Sequence, residues 1–288
     1  MILIADSGST KTTWYLTGEN SVEGKMFYTL GYNPHFIHTE EIIQSLNDTL
    51  IPDLGADVAH KIEEIYFYGA GCSTERDCAI VINAIKAVFP NSHAEVDHDL
   101  LGAARALCGR EAGVACILGT GSNSCLYDGE FITDNVTALG FTLGDEGGGA
   151  ELGRRLLKAY FYREFPNDLK RFFDEKYHLT KDSLLENLYS KPLPNRFVAS
   201  FSAFCGDNKS HPFIQQLIKS NFRDYVTRQV CKYEGVERLP IHFVGSVAHY
   251  FMEELREVLA EQNLTLGQVI RNPIFRLVEF HTGVEVPS

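Results

Sequence analysis

The sequence predicts an α/β protein organised as two domains, and three observations predict it. Short β-prone apolar runs alternate with stretches whose apolar residues recur at helical spacing, the alternation that places helices against a sheet. A strand, a loop of small residues and a second strand occur at residues 2–16 and recur at 115–127, an offset of 113 residues. From Gly149 to about Glu234 the strand signal gives way to helical spacing, so the second domain carries a helical insertion.

The elements follow in chain order. Ile2 to Ala5 and Thr13 to Leu16 flank Asp6-Ser7-Gly8-Ser9-Thr10-Lys11, a hairpin signal. Ile65 to Tyr68 is a buried-strand run ending in Gly69-Ala70-Gly71, and residues 76–88 space their apolar side chains as a helix does. Ala94 to Val96 reads as a short strand, and Asp99 caps a helix through about Leu107. Ala115 to Leu118 and Ser124 to Tyr127 flank Gly119-Thr120-Gly121-Ser122-Asn123. Ser-Gly-Ser at 7–9 then matches Thr-Gly-Ser at 120–122, with Ile4 opposite Ile117, a weak internal repeat whose matched part is a phosphate-type loop. Helices are predicted over 149–163, 166–176, 181–189, 195–206 and 211–233, then a strand at Ile241–Val244, a turn at Gly245-Ser246 and a helix over 248–261. The domains run from 1 to 110 and from 111 to 272, and a terminal helix at 273–281 completes the first, so that 273–288 belong to it.

Composition excludes several classes of function. Hydrophobic residues make up 44% of the 288 and charged residues 22%, an ordinary globular balance with length for a real core. Basic residues number 26 against 38 acidic, a net charge of −12, which argues against nucleic-acid and anionic-membrane partners because those need clustered Lys and Arg. MILIADSGST reads as a first strand and not a signal peptide, and no stretch is long enough to span a membrane. The seven cysteines (72, 78, 108, 116, 125, 205 and 231) are scattered without a CxxC pair, so reduced thiols in a cytoplasmic protein are expected and a zinc site is not.

Chemistry concentrates in a few segments. Both Gly/Ser/Thr loops can present backbone N–H groups and hydroxyls to an anion, and glycine lets a phosphate approach without a Cβ clash. Ser9, Thr10, Lys11 and Thr12 in the first and Gly119, Thr120 and Gly121 in the second are the candidate phosphate contacts, although either loop alone also fits an ordinary tight turn. Neither is a GxxxxGK[ST] or GxGxxG sequence. Asp6 ends the first strand, where a carboxylate facing phosphates requires a divalent cation between them. Asp99 follows a strand on the carboxyl side where α/β sheets bind ligands, and could take a proton from a hydroxyl attacking a γ-phosphate; helix capping is the alternative role, and Asp97 the competing residue. Gly144-Asp145-Glu146-Gly147-Gly148 sets two carboxylates in a glycine-rich turn, for a hydroxyl, a metal water or a helix cap. Gly245-Ser246 follows a strand and starts a helix, a common seat for a flat nucleoside and equally a common packing turn.

In this order the segments resemble the sugar kinase, Hsp70 and actin ATPase superfamily, within it the branch of N-acetylglucosamine kinases and BadF/BadG/BcrA/BcrD ATPases. The first phosphate motif resembles Asp6 to Thr12, GTGSN is Gly119 to Asn123, the GDEGS segment is similar to Gly144-Asp145-Glu146-Gly147-Gly148, the adenosine motif is similar to Gly245-Ser246-Val247, and a helix ending in a Phe-Cys pair is similar to Phe197 to Cys205. The resemblance implies two ribonuclease-H-like domains of actin-like ATPase fold flanking an interdomain cleft, ATP with Mg held through water by Asp6, Asp99 as catalytic base, and sugar contacts from Asn33, Asn123 and Asp145. It implies an ATP-dependent kinase acting on an N-acetylated amino sugar such as N-acetylglucosamine, at O6, in a homodimer. One departure bears on the acceptor: the family's Gly-Trp-Gly before GDEG is Ala138-Leu139-Gly140 here. The BadF-type activators use a cysteine-ligated iron–sulfur cluster, and residues 138–153 contain no cysteine, so kinase is preferred to redox activator. A silent sugar- or nucleotide-binding regulator is the remaining alternative, which the joint presence of Asp6, Asp99 and Asp145 disfavours.

Overall fold

The structure, a computed structural model, describes residues 1–18 and 24–286. The chain divides into two compact units, Met1–Glu111 with Asp128–Ile132 and Asn272–Ser288, and Ala112–Tyr127 with Thr133–Arg271.

The first unit contains β1 (Ile2–Ser7), β2 (Lys11–Thr17), β3 (Gly24–Leu30), α1 (Thr39–Ser45), α2 (Ile51–Leu54), α3 (Ala56–Ala59), β4 (Glu64–Gly69), α4 (Glu75–Val88), β5 (His93–His98) and α5 (Asp99–Cys108). Its sheet runs β3-β2-β1-β4-β5; β1 is antiparallel to β2 and parallel to β4, which is parallel to β5. Successive strand residues face opposite sides. Leu3, Ala5, Trp14, Ile65 and Phe67 therefore share one buried cluster with Ile42 of α1 and Val81 and Ile85 of α4. Tyr66 and Tyr68 take the other face, where a Cβ on Gly102 of α5 would meet the Tyr68 ring.

The second unit contains β6 (Gly113–Leu118), β7 (Ser122–Tyr127), β8 (Ile132–Asp134), α6 (Gly140–Leu143), α7 (Gly149–Phe161), α8 (Asn167–Tyr177), α9 (Lys181–Tyr189), α10 (Pro194–Ser200), α11 (Ser202–Asp207), α12 (Pro212–Arg228), β9 (Pro240–Val244), α13 (Ser246–Tyr250), α14 (Met252–Glu261) and β10 (Thr265–Ile270). α15 (Ile274–Thr282) returns to the first unit and packs on α5, β1 and β2. The second sheet, β10-β9-β6-β7-β8, has the order of the first: a hairpin with a third strand on one side, and two parallel strands on the other. Phe165, Phe173, Phe201 and Phe204 from the helical insertion and Phe222 and Phe243 beside them build its core.

Three details differ from the sequence reading. The hairpins close on Ser7↔Thr12 and Leu118↔Ser122, so the structural offset is 111 (118 against 7), and the loops differ by one residue. A shift of two leaves the strand faces in phase. The helix predicted over 195–206 breaks at Phe201, where the Ser200 hydroxyl bonds back to the Phe197 carbonyl at 2.6 Å, a local competitor of the helical ladder. The cap of α5 is His98, whose Nδ1 accepts from Leu101 N at 3.1 Å, and Asp99 is the first helical residue.

Candidate active site

In the first unit β1, β4 and β5 end together, with Ser7, Gly69 and His98 in register. Asp6 is one residue short of that edge and Asp99 is just beyond it. Burial pushes the Asp6 carboxyl up to about 7, and the charge of Asp99 adds to the effect. Burial also raises Asp99, opposed by His98 and by backbone N–H groups at the start of α5. Asp6, Tyr68 and Asp97 are register neighbours, so Tyr68 stands between Asp6 and Asp97, whereas Asp99 is the carboxylate whose field reaches Asp6. The Tyr68 hydroxyl accepts from Arg105 Nη1 at 2.7 Å and lies 2.8 Å from His281 Nε2. Burial, then Arg105 and Arg110, push His281 down to about 3, so it is neutral near pH 7.

The first turn is held from behind. The hydroxyls of Ser7 and Thr12 are 2.7 Å apart, Tyr32 N donates to Ser7 Oγ at 3.1 Å, and Thr12 donates to the Leu30 carbonyl at 2.9 Å. Thr12 is thus committed inside the fold. Asn33 Nδ2 donates to Ser9 Oγ at 2.8 Å while its Oδ1 accepts from His35 N at 3.0 Å. A Cβ on Gly31 would come within 2.2 Å of the Gly8 carbonyl oxygen, so this close approach requires glycine. Thr10 is exposed, and Lys11 lies with Nζ 3.6 Å from the centre of the Tyr28 ring.

In the second unit Gly119 N donates to the Gly121 carbonyl at 3.0 Å, closing the turn. The Gly119 and Thr120 carbonyls accept from Gly149 and Ala150 N at 2.8 Å each, which satisfies the start of α7. Neither Asp145 nor Glu146 caps that helix; its cap is Gly148. Asp145 instead adopts φ +66° and receives Ser122 N on Oδ1 at 3.2 Å, with Gly121 so close that a Cβ there would lie 2.7 Å from that oxygen. Burial raises the Asp145 carboxyl; the Ser122 N–H and Arg154 oppose this, and Glu146 and Glu151 reinforce it. Asn123 Oδ1 accepts from Ser124 N at 2.9 Å and Asn135 Nδ2 at 3.1 Å.

Gly245 adopts φ +123°, and a Cβ would sit 2.3 Å from the Leu118 carbonyl oxygen. This lets the start of α13 pass against the turn. Beside Ser246 a cavity of about 490 Å³ opens, lined also by Ser202, Gly206, Asp207, Lys209 and Tyr250. Sequence reasoning named none of those five; the Phe-Cys pair, Phe204-Cys205, is the signal that points to them, since it lies on α11 beside Gly206.

Among the described residues no three His, Cys, Asp or Glu side chains form a metal cage. Asp6, partly buried and within the field of Asp99, fits Mg²⁺ held through one carboxylate, with water and phosphate oxygens completing the shell. No helix among the described residues is long and apolar enough to cross a membrane.

No family model and no curated protein match the chain. Among solved structures, it is similar to the putative N-acetylglucosamine kinase of Porphyromonas gingivalis, with 42% identity over 98% of this chain and 99% of that one and a TM-score of 0.93. The putative N-acetylglucosamine kinase of Chromobacterium violaceum matches with 17% identity over 97% of this chain and 98% of that one, at a TM-score of 0.75. A putative sugar kinase of Cytophaga hutchinsonii matches with 15% identity over 98% of each chain, at 0.51. The last two are likenesses of fold.

Proposed function

The chain belongs to the N-acetylglucosamine kinase and BadF/BadG/BcrA/BcrD ATPase family of the sugar kinase, Hsp70 and actin superfamily, and from that premise we propose that it transfers the γ-phosphoryl group of ATP to O6 of an N-acetylated amino sugar, N-acetylglucosamine first among them. The observation that carries this reading is the pair of partly buried carboxyls at the end of β1 and the start of α5, each held above its ordinary pKa. Phosphoryl transfer needs one group to accept the hydroxyl proton and another to seat a cation beside the phosphates.

Asp99 is the base: its raised pKa brings it closer to the proton it must accept than an exposed carboxylate would be. Asp6 would hold Mg²⁺ through water, where the ion would neutralise phosphate charge. Backbone N–H groups and hydroxyls of Ser9 and Thr10, with the charge of Lys11, serve the phosphates on the first unit, while Thr12 holds the turn from behind; Gly119, Thr120 and Gly121 serve them on the second. Gly245 and Ser246 border the adenosine, which the cavity beside Ser246 is large enough to admit. Asn33, Asn123 and Asp145 each keep hydrogen-bonding capacity beyond the partners described, and bind the sugar. A cytoplasmic homodimer completes the reading, since ATP and reduced thiols share that compartment.

The test is ADP release measured over a panel of amino sugars with water as the control acceptor. N-acetylglucosamine is expected to stimulate release and yield a 6-phosphate. Release that no sugar stimulates would refute the proposal.

A further inference from the structure

We propose that Arg154 is a positioning residue for the acceptor, locking α6 against α7 and fixing the place of Asp145 without serving ATP. The inference rests on the assignment of Asp145 to the sugar.

None of the four residues of α6 is buried, and Leu139 and Leu143 at its ends are 60% and 73% exposed. Phe141 packs only in part against the core of the second unit, and four residues are too few to hold a helix by themselves. Arg154, on the second turn of α7, supplies a second attachment. One guanidinium nitrogen donates to the Phe141 carbonyl, and the guanidinium lies 5.1 Å from the centre of the Phe141 ring. The other, Nη1, is 2.9 Å from Glu151 Oε2. Glu151 is itself anchored, because its Oε1 pairs with Arg155 Nε at 2.9 Å and Arg155 reaches Ser220 and Asp224 of α12. The clamp therefore has a fixed end on α7 and α12 and a working end on α6. Only three residues separate Phe141 from Asp145, so the position of one limits the position of the other.

Charge points the same way. The groups acting on Asp145 are Arg154 and Glu151 of α7 and Glu146 of its own turn, the last paired with Arg228 of α12 at 3.4 Å; β7 contributes the Ser122 N–H. Arg154 is the cation in that set, and it favours the ionised carboxylate that a sugar hydroxyl can donate to.

The test compares Arg154→Gln, Arg154→Lys and Arg155→Gln with the wild type in steady-state kinetics and thermal melting. Loss of a charge-assisted contact predicts an acceptor KM raised about tenfold or more in Arg154→Gln, with the ATP KM unchanged and the acidic limb of kcat/KM for the sugar moved to higher pH. Arg154→Lys restores the limb but not the KM, since an ammonium cannot reach the Phe141 carbonyl and Glu151 as a fork. Arg155→Gln, which loosens the fixed end of the clamp, lowers the melting temperature and raises the acceptor KM by less than Arg154→Gln does. A folded Arg154→Gln enzyme with a wild-type acceptor KM, or with both KM values raised together, overturns the inference alone. A wild type that phosphorylates no sugar of the panel overturns the functional reading beneath it as well.

Discussion

Two partly buried carboxyls, one within reach of the other's charge, are costly in a folded chain, and the cost is where function enters. If Asp99 is the base, Asp99→Asn removes the proton acceptor while keeping shape and leaving the nucleotide contacts alone. The expected result is kcat reduced about 10²- to 10⁴-fold, with an unchanged calorimetric Kd for ATP. In the wild type the rate should rise with pH along a limb displaced above the ordinary carboxylate range, because the active form of Asp99 is the ionised one. Asp6 makes a separate prediction about stability. Its folded pKa of about 7 lies above the ordinary value of 3.8, so the folded protein keeps a proton that the unfolded chain releases. That contribution is fully present below the unfolded value and is lost as pH rises through about 7. A three-unit difference corresponds to on the order of 4 kcal/mol, so metal-free Asp6→Asn should melt above the wild type at pH 8, the two curves converging near pH 4. Superimposable curves across that range would show that Asp6 is not buried at this cost. The coupling of Asp6 to Asp99 spans most of a domain in sequence; motif order names both residues, but only folding brings one charge within reach of the other.

At the scale of elements, the two glycines of the second turn separate packing from ligand space. A Cβ on Gly119 would meet nothing within 4 Å, whereas one on Gly121 would lie 2.7 Å from Asp145 Oδ1. Gly119→Ala should therefore keep its stability to within about 0.5 kcal/mol and raise the KM for ATP, because the methyl occupies the phosphate's approach. Gly121→Ala should cost about 1–3 kcal/mol through forced displacement and weaken the sugar as well, measured by denaturant unfolding beside kinetics. Equal behaviour of the two variants would remove the turn from the phosphate site. Elements with strong local signals were legible: α9 spans 181–189 as its spacing predicts, and the β9 to α13 turn falls at Gly245. β3 was not, because as an edge strand it leaves Met26, Tyr28 and Leu30 40–49% exposed, which blurs the two-residue alternation. β10 was hidden by Gly267-Gln268, where the register shifts and Gln268 N donates to His242 Nδ1 at 2.9 Å. The role of Asp145 was legible only as a pair of alternatives, and it took the positive φ and the Ser122 contact to remove the capping one.

For the molecule as a whole, the repeated hairpin in the sequence proves to be the visible part of a repeated sheet, the two five-stranded orders matching strand for strand. The contacts that give the site its shape, Asn33 on Ser9 and Arg154 on Phe141, join segments with no shared local pattern and are invisible to periodicity. Cysteine chemistry offers a check on the packing of both units at once. The seven cysteines are thiols; Cys72, Cys116, Cys125 and Cys205 are buried, Cys78 and Cys108 half-buried and Cys231 exposed. Burial pushes Cys108 and Cys205 up to about 12 each, so neither supplies appreciable thiolate near neutrality. Titration of the native protein with a disulfide reagent at pH 8 should modify one thiol on mixing, Cys231, with Cys78 and Cys108 following slowly. The remaining four should react only in denaturant. Rapid modification of two or more native thiols would mean that one of the two cores opens in solution, and removal of the fast phase by Cys231→Ser would fix its assignment.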